Sequence, residues 1–236
     1  MFSEPSGGQI DGAYERAKAQ YEALGVKTDA ALKALSEIPI SINCWQGDDV
    51  GGFEGVGEIT GGGIMATGGY PGKARSAAEL RKDFETAYRL IPGRHRFNLH
   101  ASYLENRGTR VDRDGLEPEH FSDWVDWARE LNLPLDFNPT FFSHPLADGG
   151  FTLASKDERI RSFWIEHGKR SRRVSAYMGR ELGAASLNNF WIPDGYKDEP
   201  ADRLGHRQLL IEALDELFAE EFPETETVDA VESKLF

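Results

Sequence analysis

The chain has 236 residues, 39% of them hydrophobic and 28% charged, the make-up of a soluble globular protein long enough to bury a sizeable core. A formal net charge of −13 argues against nucleic acid or an anionic membrane surface as partner, because either would be repelled. The single cysteine, Cys44, excludes an internal disulfide and fits a reducing compartment. No apolar run approaches the roughly 18 residues that span a bilayer. The opening residues MFSEPSGGQIDG carry neither a basic patch nor an apolar stretch, so the expectation is a cytoplasmic protein.

Residues 12–24 and 28–37 read as two helices rich in Ala, Glu, Lys and Leu, with Gly25 between them. They form a predicted N-terminal helical extension, 1–37, ahead of a second domain, 38–236. The first strand is expected over 38–45, followed by a loop over 51–72 with ten glycines in 22 residues. A capping box at Ser76 and Glu79 opens a helix in which Leu80, Phe84 and Tyr88 recur at helical spacing. A second strand is expected over 97–103, then a helix from Pro118 with an apolar stripe of Phe121, Trp124, Val125, Ala128 and Leu131. The third strand is read at 133–138, and a second capping box, Ser155 with Glu158, opens a helix to about residue 182. Within that helix Lys169, Arg170, Arg172 and Arg173 read as a solvated basic face. A fourth strand at 185–192, a helix at 200–222 and a fifth strand at 227–236 complete the series.

Strands alternating with helical crossovers predict a parallel sheet. Both a doubly wound sheet and the first five strands of a (β/α)8 barrel fit the count. The Rossmann form is disfavoured because no G-x-G-x-x-G runs from the first strand into a helix. The segment GYPGKA at 69–74 is no P-loop: the spacing fails, and Ala74 stands where a hydroxyl would hold magnesium.

In parallel α/β architectures the residues at the carboxyl ends of the strands surround the site. Those residues are Trp45, Gln46, Asp48 and Asp49, then His100, then Asn138, Phe141 and Phe142. Trp191 and Asp194 follow on the fourth strand, and Glu232 and Lys234 on the fifth. Acids, an imidazole, amides and indoles in one mouth suit a small polyhydroxylated substrate, whose C–H faces stack on indole while its hydroxyls take hydrogen bonds. A carboxylate and an imidazole also suit a divalent metal. Plainer readings stand beside these. His100 fits a core histidine bonded to a carbonyl equally well, and Asp48 with Asp49 fits a loop cap. Trp124, Trp127 and Trp164 lie on helices and read as packing. Glu232 and Lys234, two apart, share one face of a strand and fit either a site or a structural ion pair.

Seven blocks run in one order along the chain: CWQGDD (44–49), ATGGYPGKA (66–74), NLH (98–100), FNP (137–139), FSHP (142–145), WIPDG (191–195) and DAVESKLF (229–236). Together they resemble bacterial L-rhamnose isomerase from about residue 10 onward. The resemblance implies a (β/α)8 barrel, here its first five β/α units, in a homotetramer that interconverts L-rhamnose and L-rhamnulose in L-rhamnose catabolism. It implies divalent cations, commonly manganese, with Glu232 as one carboxylate ligand and Lys234 near the reacting oxygens of the sugar. It further implies that His100 and Trp191 contact sugar and that the glycine-rich loop helps close the site; Trp45, from its strand-end position, reads as a further substrate-binding residue of the pocket, with the core as the plainer reading. Family members extend beyond the position of Phe236, so the expectation is a partial chain with little activity alone, its remaining metal ligands lying further on. A related metal-dependent isomerase of other sugar specificity and a non-catalytic half-barrel assembly module are the alternative readings.

Overall fold

Period-two alternation decides which way each strand faces. The computed structural model describes residues 4–48, 51–54, 72–105, 108–196 and 201–233. Asp49, Lys234 and most of the glycine-rich loop (55–71) lie outside the described residues. The strands are β1 (Ile40–Asn43), β2 (His95–His100), β3 (Leu135–Asn138), β4 (Ser186–Ile192) and β5 (Thr227–Ser233). The α-helices are α1 (Gly7–Ala23), α2 (Thr28–Ser36), α3 (Ala77–Leu90), α4 (Ser122–Glu130), α5 (Glu158–Leu182) and α6 (Gly205–Leu217).

Two compact units emerge: Met1–Ile40 with Ile91–Arg94, and Ser41–Leu90 with His95–Phe236. In the first, α1 starts five residues before the predicted position, because Gln9 reaches back and accepts from the Ser6 amide at 2.8 Å. Tyr14 donates to Asp29 at 2.8 Å and Lys18 pairs with the same carboxylate, which joins α1 to α2. Neither helix has a buried residue among those described.

In the second unit the sheet runs β1-β2-β3-β4-β5, with β2 through β5 paired in parallel. Phe97 and Leu99 of β2 and Leu135 and Phe137 of β3 point to one face, where they meet Leu80 and Phe84 of α3, Trp124 of α4 and Val174 of α5. Phe190 and Ile192 of β4 pack on that same face against Trp164 of α5 and Leu217 of α6. The opposite face carries Arg96, Asn98 and His100, then Asp136 and Asn138, then Asn189, Trp191 and Glu232. The strand order never reverses, and α3, α4, α5 and α6 share one face. A doubly wound sheet would need a switch point, and the described sheet has none.

Three local expectations change. Glu79 turns away from Ser76 and instead accepts from the Arg75 amide at 2.8 Å, while Ser76 still receives the Glu79 amide at 3.3 Å. The cap of α5 is Asp157, whose carboxylate accepts from the Arg159 amide at 2.9 Å, and Ser155 stands two residues outside the helix. The basic cluster on α5 is no solvated face throughout: Arg172 is only 5% exposed. Its guanidinium donates to Asp229 at 2.8 Å and to the Leu217 and Glu220 carbonyls, and it lies between the rings of Phe218 and Phe222. Burying it is tolerable only because its donors are so fully used. Its neighbours Lys169 and Arg173 pair with Glu216 and Glu220.

The seating of α5 depends on a missing side chain. A Cβ added at Gly179 would lie 1.7 Å from the Glu226 carbonyl oxygen, whereas one at Gly183, the left-handed residue ending the helix (φ 65°), meets nothing within 4 Å. Gly179→Ala should therefore cost about 3 kcal/mol through overpacking. Gly183→Ala should cost only about 1 kcal/mol, from backbone strain. Urea midpoints of the two variants check the ranking; equal costs would contradict it.

Candidate functional site

Each strand of the sheet delivers side chains to one rim. After β1, residues Cys44–Gly47 form a 3-10 turn that places the Trp45 ring at the end of the strand. His100 ends β2, Asn138 ends β3, and Trp191 and Glu232 stand opposite each other on β4 and β5. A hollow of about 290 Å³ opens there, and Trp45, His100, Asn138, Phe142, Trp191 and Glu232 all line it. Three more asparagines, Asn43, Asn98 and Asn189, complete the lining.

The aromatic groups form an arc. Trp45 and His100 lie 4.8 Å apart between ring centroids, His100 and Phe142 6.2 Å, and Phe142 and Trp191 5.4 Å, edge to face. Beneath them the amides interlock with the strands. Asn98 donates to Asn43, and Asn189 donates to Glu232 at 2.7 Å. The second contact ties down one oxygen of a carboxylate that is otherwise exposed on the last strand of the sheet. Asn98 Oδ1 and Trp45 Nε1 are buried without a partner among the described residues.

His100 is not a core histidine bonded to a carbonyl. Its ring is 2% exposed, faces the hollow, and reaches the Thr140 hydroxyl through Nδ1 at 3.3 Å. Burial, and then the nearby Arg113 guanidinium, push its pKa down to about 3, so the ring is neutral at pH 7. Thr140 has φ 59°, a left-handed conformation that costs a β-branched residue on the order of 1–3 kcal/mol. Three contacts hold it there. Its amide donates to Asn138 Oδ1 at 2.8 Å, its hydroxyl accepts from the Ala101 amide at 3.1 Å, and its carbonyl accepts from Arg113. Arg113 is itself buried and clamps Glu54, with one contact at 2.9 Å.

Other strand-end residues do structural work. Asp48 takes the Tyr103 hydroxyl at 2.5 Å and the Gly52 amide at 2.6 Å, so it caps a loop. Asp194, its pKa raised by burial, accepts from Thr152 and Ala154 and fastens the loop after β3. Phe141 is buried against Trp164, Gln46 is exposed, and neither lines the hollow. Trp124, Trp127 and Trp164 are core residues, as their helical positions imply. Asn43, Asn98 and Asn189 each stand two residues before Trp45, His100 or Trp191, so stepping back along the same strand face finds them.

A family model described as L-rhamnose isomerase (RhaA) matches residues 8–236. The chain belongs to the L-rhamnose isomerase family. It is 58% identical over 229 residues to the L-rhamnose isomerase of Listeria monocytogenes serovar 1/2a, covering 97% of this chain and 54% of that protein. Likewise it is 57% identical to the Salmonella paratyphi B protein of the same name and 54% to that of Rhodopirellula baltica, over 97% of the chain in both cases. Those alignments cover 54% and 53% of the two relatives, so the chain spans about half the length of the curated relatives it matches. None of the helices among the described residues is long and apolar enough to cross a membrane.

The cation that the family resemblance implies does not fit the described residues alone. Among them no three of His, Cys, Asp and Glu converge as a metal site, and Glu232 is the one carboxylate lining the hollow. One carboxylate leaves most of a dication's charge unbalanced, and two of the asparagine oxygens that could add to it, Asn43 Oδ1 and Asn138 Oδ1, already accept from Asn98 and the Thr140 amide.

The buried imidazole makes stability pH-dependent. Unfolded His100 takes up a proton near its ordinary pKa of 6.5, while the folded ring resists until about pH 3. The unfolded state therefore binds more protons between these values, and stability falls as pH drops through that window, by up to about 1.4 kcal/mol per pH unit. His100→Gln should flatten the urea-midpoint profile between pH 6.5 and 4 relative to the parent. A parallel profile would mean that the ring titrates freely.

Proposed function

We propose that this chain forms the sugar-holding rim of an aldose–ketose isomerase that interconverts L-rhamnose and L-rhamnulose in L-rhamnose catabolism. One observation carries the reading: Trp45, just after the first strand, and His100, Asn138, Trp191 and Glu232, on the next four, meet around one hollow at the carboxyl ends of the sheet. Its volume suits a monosaccharide. The indole faces of Trp45 and Trp191 match the C–H faces of a sugar ring, and the amides and neutral His100 match its hydroxyls. Buried polar groups of this kind discriminate strongly between hydroxyl patterns, because a missing hydroxyl leaves them unpaired.

Moving a hydrogen between C1 and C2 requires charge to be stabilised on both oxygens as it develops. In this proposal Glu232, steadied by Asn189, and Lys234 act at that end of the sugar, and the aromatic arc grips the remainder. The proposal extends to a closed (β/α)8 barrel, supported by the unreversed strand order and the one-sided helical layer. It extends also to a homotetramer in the cytoplasm and to manganese as the cation. Glu232 would give that cation one carboxylate, and the family length this chain does not span would give the rest.

With a single carboxylate among the described residues of the hollow, the 236-residue chain should bind L-rhamnose yet form little rhamnulose when manganese is added. Titration with L-rhamnose should change tryptophan fluorescence, and Trp191→Ala should weaken binding about tenfold or more, ~1.4 kcal/mol. L-mannose and D-allose serve as competitors. Tighter binding of either would shift the specificity to another sugar, and no binding of any would refute the sugar site.

A further inference from the structure

We propose that the Thr140 hydroxyl is a positioning group that sets the tautomer of His100, keeping the ring proton on Nδ1 and turning Nε2 into a hydrogen-bond acceptor for the hollow. The inference rests on the reading of that hollow as a sugar site, and it names what the imidazole offers a hydroxyl there.

Protons and lone pairs around this oxygen have to match. A hydroxyl has one hydrogen to give and two lone pairs to receive with. Three groups surround Thr140 Oγ1: the Ala101 amide at 3.1 Å, the Asn138 carbonyl at 3.2 Å and His100 Nδ1 at 3.3 Å. The amide can only donate, so it takes one lone pair. The carbonyl can only accept, so it takes the hydroxyl hydrogen. What is left is a lone pair, and only a protonated Nδ1 can use it. In the opposite tautomer the hydroxyl hydrogen goes to Nδ1, the Asn138 carbonyl loses this donor and a lone pair of the buried oxygen stays empty. Burial makes such a loss costly.

The hydroxyl oxygen is also held in place. Thr140 is 1% exposed, and its left-handed backbone is pinned through its amide by Asn138 and through its carbonyl by Arg113. The ring carries a single proton at neutral pH, since burial and Arg113 disfavour a second. No hydrogen bond from Nε2 to another described residue competes for that atom. The hollow therefore meets a bare nitrogen, which accepts from a sugar hydroxyl and does not donate.

The test is the nitrogen-15 spectrum of the 236-residue chain with labelled histidine, which tells a protonated ring nitrogen from a bare one. The parent should show His100 protonated at Nδ1 and bare at Nε2. Thr140→Ser, which keeps the hydroxyl, should preserve that pattern. Thr140→Val, which keeps the shape and removes the hydroxyl, should move the proton wholly or partly to Nε2. A merely structural threonine would leave the tautomer alone, so an unchanged pattern in Thr140→Val overturns the proposal. So does a parent with its proton on Nε2, a result that stands even if the valine variant fails to fold. Added L-rhamnose should shift the His100 Nε2 signal; a correct tautomer with no such shift would strike the sugar reading and leave the role of Thr140 intact.

Discussion

A single carboxylate holds the inner face of the sheet together. Asp136 of β3 accepts from Arg96 of β2 at 2.6 and 2.9 Å, from the Ser41 hydroxyl of β1 at 2.6 Å and from the Leu187 amide of β4 at 2.9 Å. Four of the five strands thus meet on one side chain, at the end of the sheet away from the hollow. Such a buried ion pair adds little net stability compared with an apolar replacement, because its groups must leave water. Removing one partner, in contrast, strands a charge and costs about 3–5 kcal/mol. What Asp136 contributes is selection: a strand slipped by one residue would present the wrong face to it.

The same economy recurs wherever the chain buries a guanidinium. Arg172 joins α5 to β5 and to the end of α6, and Arg113 joins the loop after β1 to the turn after β3. The second matters most for the rim. Trp45 and Thr140 sit on turns, which have no ladder to hold them, and Arg113 ties the Thr140 carbonyl to Glu54, in the loop that follows the Trp45 turn. The Thr140 side of the aromatic arc is therefore braced by a bonded guanidinium.

Much of this was readable in the residues. The expected fourth strand, 185–192, lies within one residue of the observed start of β4, helical spacing marks α3, and the expected end of α5 near residue 182 matches the observed one. The second strand was read too long because Ala101–Tyr103 are as apolar as the strand before them, yet they curl into a 3-10 turn. Ser155 and Asp157 are both competent caps, and composition does not say which one the helix uses. Trp45, His100, Asn138, Trp191 and Glu232 were legible because strand ends in parallel sheets converge. The burial of Arg172 has no local sequence signal, because its partner Asp229 lies 57 residues away, a separation at which no local pattern operates. A left-handed threonine leaves no sequence signal at all. Its conformation exists only because Asn138, Ala101 and Arg113 agree on it.

The asparagine lining has a consequence for the setting in which such a hollow works. Amides neither gain nor lose protons in water at any pH a cell meets, and His100 stays uncharged down to strongly acidic conditions. Four amides and one silent imidazole thus present a fixed alphabet of donors and acceptors. A ligand reading them would find the same text in an acidified cell as in a resting one.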